Sequence, residues 1–168
     1  KLVFRLGSSN KVTEDDTSGG SFGYGKSVYS AQSDSKTVIY YSAFAETDRA
    51  PNVESRLIGA SIFQDHAYED RSYDGRAFWG LIGDVNGETV VKPIINKEAH
   101  EIAEKIGFET RSDADYGLSM MIIGVQTDMD LLRSQIEKYW WPKIIDNEVA
   151  IELFDGEKKL ASPSPRKR

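Results

Sequence analysis

Thr37-Val-Ile-Tyr-Tyr-Ser-Ala-Phe44 is dominated by β-branched and aromatic residues and reads as a strand. Before it, the glycine-punctuated segment Phe22 to Gln32 fits a turn opening a short helix. After it, a second strand falls near Arg56 to Phe63 and a third from Ala77 to Val85, and Asn86-Gly87 followed by Glu-Thr-Val-Val91 is the strongest hairpin signal in the chain. Asn96 is placed to cap a helix in which Ala99, Ile102, Ala103 and Ile106 recur at i, i+3, i+4 and i+7, with Gly107 where a left-handed cap belongs. Tyr116-Gly-Leu-Ser-Met-Met-Ile-Ile-Gly124 is a continuous apolar run between glycines, which predicts a strand buried on both faces at the sheet centre. Asp128 predicts a capped helix that carries Leu132, Ile136 and Tyr139 inward and ends near Trp140-Trp-Pro142. Val149 to Phe154 with the Asp155-Gly156 turn gives a last strand or hairpin. About five or six strands and three helices in this order predict an α+β fold, a two-layer sandwich with a mixed, mostly antiparallel sheet and helices on one face.

The chain has 168 residues with 21 Lys+Arg against 27 Asp+Glu, a formal charge of −6. At 39% hydrophobic and 11% aromatic it can build one domain-sized core, so disorder is excluded for most of it. No apolar run approaches the roughly 18 residues of a membrane span, and Lys1-Leu-Val-Phe-Arg5 lacks the apolar stretch of a secretory signal, so no membrane partner is expected. With no cysteine, disulfides, thiolate metal sites and cysteine nucleophiles are excluded, and a cytoplasmic location is expected. The acidic balance opposes a whole-surface nucleic-acid binder. Ser162-Pro-Ser-Pro-Arg-Lys-Arg168 reads as a solvated basic tail or linker, the alternative being a nucleic-acid or targeting patch.

Chemistry concentrates in Gly19-Gly-Ser-Phe-Gly-Tyr-Gly-Lys-Ser27. Closely spaced glycines let the backbone approach a ligand and turn several amides toward one point, and Lys26 beside a helix start completes what a polyphosphate requires. A plain glycine-rich turn is the bland alternative. Gly20 to Ser27 also matches the P-loop pattern G-x-x-x-x-G-K-S letter for letter. A P-loop, however, follows a buried apolar strand, whereas Thr13-Glu-Asp-Asp-Thr-Ser18 is polar and acidic.

A polar loop holding Ser9 and Lys11, then Gly20-Ser-Phe-Gly-Tyr-Gly-Lys-Ser27 opening a helix, then the strand Thr37 to Phe44, resembles the ATP-lid region of the GHKL superfamily of Bergerat-fold ATPases. Arg111 and Tyr116-Gly-Leu-Ser119 before an apolar strand resemble that superfamily's late "GT" strand, with Leu118 where the family prefers Thr. The resemblance implies a Bergerat-like fold in which residues 1–126 form the C-terminal part of an ATP-binding domain including the lid, 127–161 a helix and strand or hairpin leading out of it, and 162–168 the tail. It implies that ATP is the ligand, with Mg²⁺ held by residues outside this chain. The amides of Phe22, Gly23, Tyr24 and Gly25 would hold the β- and γ-phosphates and Lys26 would supply a point charge. Gly20 would belong to the turn, Ser9, Ser21 and Ser27 would donate hydroxyl hydrogen bonds, and Lys11 would close over the phosphates. The family's catalytic Glu, Mg-binding Asn and adenine-recognising Asp have no counterpart before the lid, where only Lys1 to Gly7 stand, so the chain is expected to be the lid-and-sheet half of such a domain. No catalytic residue or metal ligand is therefore assigned, and ATPase activity is expected only if the missing half is supplied elsewhere. Expected partners are a second copy in a homodimer or the rest of a larger multidomain protein, with a DNA-linked or antiviral defence context. The alternative of a different class is a non-catalytic α+β binding or scaffold domain that keeps the glycine loop for a partner.

Other chemistry-bearing residues read more plainly. His66 is expected to be a structural or solvated loop histidine, and His100 a solvated residue on the exposed side of its helix. Glu109, Arg111, Asp113 and Asp115 are expected to be solvated charges rather than a Mg²⁺ site. Asp84-Val-Asn-Gly87 reads as a turn, and Trp140 and Trp141 as core packing beneath the last helix rather than an interface or base-stacking surface.

Overall fold

The computed structural model describes residues 27–45, 52–111 and 115–165. In chain order the elements are α1 (Ser27–Gln32), β1 (Thr37–Ala43), β2 (Ser55–Ile62), β3 (His66–Tyr68), β4 (Arg71–Tyr73), β5 (Arg76–Trp79), β6 (Leu81–Val85), β7 (Glu88–Lys92), β8 (Ile94–Ile95), α2 (Asn96–Lys105), β9 (Gly117–Ile122), α3 (Met129–Tyr139), α4 (Trp141–Ile145), β10 (Phe154–Asp155) and β11 (Lys158–Lys159). The fold is α+β, with antiparallel sheets and a few helices in two layers, as the sequence predicts. The chain divides into two compact units, one ending at Val125 and one beginning at Gln126.

The first unit is built on a sheet ordered β5-β2-β1-β9, with β8 also paired to β2. Directly opposed residues on antiparallel strands share a face, so the pairs Ile39–Gly59, Tyr41–Leu57 and Tyr41–Ser119 put these side chains on one side. α2 covers that side. Tyr41, Leu57, Ala99 and Ala103 form the buried cluster, with Ile39, Ile94, Ile102 and Phe108 packed around it. Alanine at 99 and 103 lets the helix backbone come close to the sheet, and both are fully buried.

α2 ends as the sequence predicts. The Gly107 N–H donates to the Glu104 carbonyl (3.0 Å) and the Phe108 N–H to the Ala103 carbonyl (2.9 Å), a Schellman arrangement with Gly107 at φ 96°. Its start differs from expectation, because Asn96 does not cap it. Asn96 sits at φ 53°, a left-handed conformation that asparagine tolerates, and its amide serves the entry to β2 instead. Its Oδ1 accepts from Glu54 N (3.1 Å) and its Nδ2 donates to the Asn52 carbonyl (2.7 Å).

Two strand expectations are corrected. The segment 77–85 is not one strand: it breaks at Gly80, where a Cβ would lie 2.4 Å from the Lys92 carbonyl oxygen. β5 stays in the main sheet, while β6 and β7 form a separate hairpin whose turn residues Asn86 and Gly87 have φ 56° and 84°. β9 is not buried on both faces. Among the described residues it pairs only with β1, and Leu118 and Met120 are exposed. The centre belongs to β1 and β2, where Val38, Tyr41, Leu57, Ile58 and Ala60 are buried.

In the second unit, Asp128 caps α3 as predicted, its Oδ1 accepting from the N–H groups of Asp130 (2.9 Å) and Leu131 (3.0 Å). Leu132 and Tyr139 are not carried into a core, and Trp140 and Trp141 are half exposed, at 50% and 45%. Pro142 begins α4 rather than only ending α3, since proline is accommodated in a first helical turn. The Asp155-Gly156 turn joins β10 to β11, with Gly156 at φ 58° and the Leu160 N–H closing on the Leu153 carbonyl (2.9 Å).

Candidate functional site

Of the residues singled out for phosphate binding, Ser9, Lys11, Gly20, Ser21, Phe22, Gly23, Tyr24, Gly25 and Lys26 lie outside the described residues, and Ser27 opens α1. Beyond the glycine motif, the fully buried Ser33 is the joint between α1 and the sheet. Its hydroxyl donates to the Ile123 carbonyl (2.5 Å) and accepts from the Thr37 N–H (3.0 Å). The Ile123 N–H in turn donates to the Thr37 carbonyl (3.1 Å), so one serine holds the start of β1 against the end of β9.

The second constellation centres on Tyr41. The Arg111 N–H can only donate, so the Tyr41 oxygen accepts from it (3.2 Å). The same oxygen shares a hydrogen bond with His100 Nδ1 at 2.5 Å. His100 is therefore not the solvated residue expected: a hydroxyl from the buried strand β1 reaches it across the helix edge. The Arg111 guanidinium bonds Asp115 (3.2 Å) and Ser119 (3.1 Å), and its buried Nε has no partner among the described residues. Gly117 makes room for it, because a Cβ there would stand 2.8 Å from Arg111 Nη1. Arg111 is thus brought against Gly117 and Ser119 of β9, beside β1 and distant in sequence from the glycine motif.

Asp113 lies outside the described residues and Asp115 is taken by Arg111. No group of three or more His, Asp or Glu gathers to hold a metal ion among the described residues. Asp84 accepts from the Gly87 N–H (3.0 Å) within the hairpin turn. His66 lies in β3, exposed and stacked on Tyr73, where the sequence suggested a loop.

Two cavities in the first unit carried no sequence signal. One, of about 470 Å³, lies between α2 and the sheet, walled by Ile39, Leu57, Trp79, Ile102, Ile106 and Ile123. Its polar atoms satisfy one another: Trp79 Nε1 donates to Ser61 Oγ (3.0 Å), and Thr37 Oγ1 donates to the Ser35 carbonyl (2.8 Å). The Ser61 hydroxyl therefore donates to Thr37 Oγ1 (2.8 Å). Trp79 lies over Gly59, whose missing side chain leaves the ring its place. The other cavity, of about 570 Å³, lies beside the β3–β4 hairpin.

No protein-family model matches the chain, and neither a curated protein nor a solved structure does. No helix among the described residues is long and apolar enough to cross a membrane.

Proposed function

We propose that the chain is the ATP-binding module of a GHKL-type ATPase, in which nucleotide-dependent closure of residues 8–27 drives a conformational switch. Support comes from one adjacency. The two segments that carry the resemblance pair side by side as β1 and β9, and Ser33, six residues beyond the glycine motif, ties them together. A phosphate-sensing loop followed at once by a helix hung on that joint has a direct mechanical route into the sheet. In this scheme the amides of Phe22 to Gly25 and the Lys26 ammonium hold the β- and γ-phosphates, and Lys11 closes over them. Contacts to the γ-phosphate exist only before hydrolysis, so the lid equilibrium follows the nucleotide state. Hydrolysis needs a carboxylate base and a bound Mg²⁺, which the scheme assigns to residues outside this chain; alone, the chain binds ATP weakly and turns it over negligibly. The reader of the lid is a second copy or a further domain of a DNA-linked or defence protein in the cytoplasm, where a cysteine-free chain is at home.

Hydrogen exchange of residues 8–27, with and without a non-hydrolysable ATP analogue and Mg²⁺, is the test. Protection that appears with nucleotide and disappears in Lys26→Ala supports the scheme; exchange indifferent to nucleotide at millimolar concentration refutes it. The second reading, a non-catalytic binding domain, is favoured by the apolar cavity under Trp79, walled mostly by aliphatic side chains and with the Ser35 and Thr37 hydroxyls and the Trp79 indole N–H all hydrogen-bonded.

A further inference from the structure

We infer that the cavity beside the β3–β4 hairpin is a binding site for a small planar aromatic anion, independent of any nucleotide at the glycine motif. Its volume of about 570 Å³ lies in the range of small-molecule sites. It is preformed. The Phe63 N–H donates to the Gly75 carbonyl at 2.7 Å, and Gly75 sits at φ 72° where a Cβ would fall 2.4 Å from the Phe63 oxygen. Only glycine fits that floor. Asp74 Oδ1 accepts from the Arg76 N–H (3.0 Å), which sets the chain direction entering β5.

The chemistry of the lining selects the ligand. His66 and Tyr73, opposed across the hairpin, stack at 5.3 Å between centroids and 16° between planes, and Phe63 lines the same space while 49% exposed. Flat, accessible rings of this kind take another flat ring. Arg76 also lines the cavity, and its guanidinium has neither an ion pair nor a hydrogen bond among the described residues. The carboxylates of the same segment, Asp65, Glu69, Asp70 and Asp74, do not line it. One unneutralised cation among aromatic rings calls for one negative charge on an aromatic ligand. The Nδ1–H of His66 donates to the Gln64 carbonyl (3.0 Å), so a neutral His66 ring keeps Nε2 as an acceptor for a donor on the ligand. A nucleic-acid strand is disfavoured, because a run of phosphates would meet two arginines, Arg71 and Arg76, against four neighbouring carboxylates. An aliphatic carboxylate would pair with the guanidinium but would offer the flat rings of the lining no flat partner.

The full chain, ¹⁵N-labelled, is titrated with naphthoate and with its neutral isostere naphthamide, and amide shifts are followed by NMR. Naphthoate is expected to shift residues 63–77 and to bind about tenfold more tightly than naphthamide. Arg76→Leu, on an exposed side chain whose loss leaves the fold intact, is expected to equalise the two ligands, and Tyr73→Ser to weaken both. The proposal is overturned if naphthoate does not bind, if both ligands bind the unaltered chain equally, if the preference survives Arg76→Leu, or if the shifts map to the cavity under Trp79.

Discussion

Replacing Tyr41 by Phe keeps the ring in the core, against Leu57, Ala99 and Phe108, and deletes one oxygen. Two hydrogen bonds go with it, the one shared with His100 Nδ1 and the one accepted from the Arg111 N–H. A neutral hydrogen bond contributes about 1 kcal/mol net, and a shielded donor left unpaired costs about 1–3 kcal/mol. His100 is partly exposed and can recruit water, whereas the Arg111 N–H beside fully buried Tyr41 does so poorly. The expected loss is therefore about 2–3 kcal/mol. At roughly 4 °C per kcal/mol for a unit of this size, Tm falls by about 8–12 °C. Urea unfolding followed by Trp79 fluorescence, in a background with Trp140→Phe and Trp141→Phe, reports the first unit alone. A double-mutant cycle with His100→Ala should give a coupling of about 1 kcal/mol. A loss under about 0.5 kcal/mol for Tyr41→Phe would refute the linked network.

Ser33→Ala strips a donor from the Ile123 carbonyl and an acceptor from the Thr37 N–H, so a cost of about 2–4 kcal/mol is expected in the same assay. Gly75→Ala combines a left-handed φ with a Cβ overlapping the Phe63 carbonyl; unfolding at a urea midpoint lower by more than 2 kcal/mol equivalent, about the strain of such a site, is the expected result. Asp128→Ala removes the cap of α3 and costs about 1 kcal/mol, read from the helical ellipticity of the second unit on heating. Burial, and secondarily the nearby Tyr29 hydroxyl, raise Tyr40 above its ordinary value of 10.0, so the folded chain holds its phenolic proton more tightly than the unfolded one. Its contribution is fully present below pH 10.0 and is lost as pH climbs from there through the raised value; stability measured at alkaline pH should fall less in Tyr40→Phe than in the parent chain.

How much of this was written in the sequence depends on which force set each element. β1 and β2 were legible because their composition and their place at the sheet centre agree, and the end of α2 was legible because Gly107 has one use there. β9 was misplaced because an apolar run does not say how many neighbours a strand has: Leu118 and Met120 lie exposed on it, at 47% and 37%. The β3–β4 hairpin was invisible, since its turn puts Glu69 and Asp70 at φ 46° and 60° with no glycine or asparagine to announce it. That hairpin frames the cavity lined by Arg76, so the cavity went unread with it. His100 was misjudged because periodicity describes one helix and knows nothing of a tyrosine arriving from a strand 59 positions earlier. Trp140 and Trp141 show that large apolar side chains need not be interior. The glycine motif was legible in letters alone, and its chemistry rests on them.

The outer edge of β2 is closed in two instalments, by β5 along Gly59 to Ile62 and by β8 at Arg56 and Leu57. Between the instalments the chain takes a detour, leaving at Gly80 and returning at Lys92, where the two backbones touch. Among the described residues the excursion pairs with no strand of the main sheet; its neck is already pinched shut. It is therefore a natural graft point. An epitope or a small reporter spliced between Asn86 and Gly87 would hang from a closed neck and leave every strand of the sheet with the neighbours it has now.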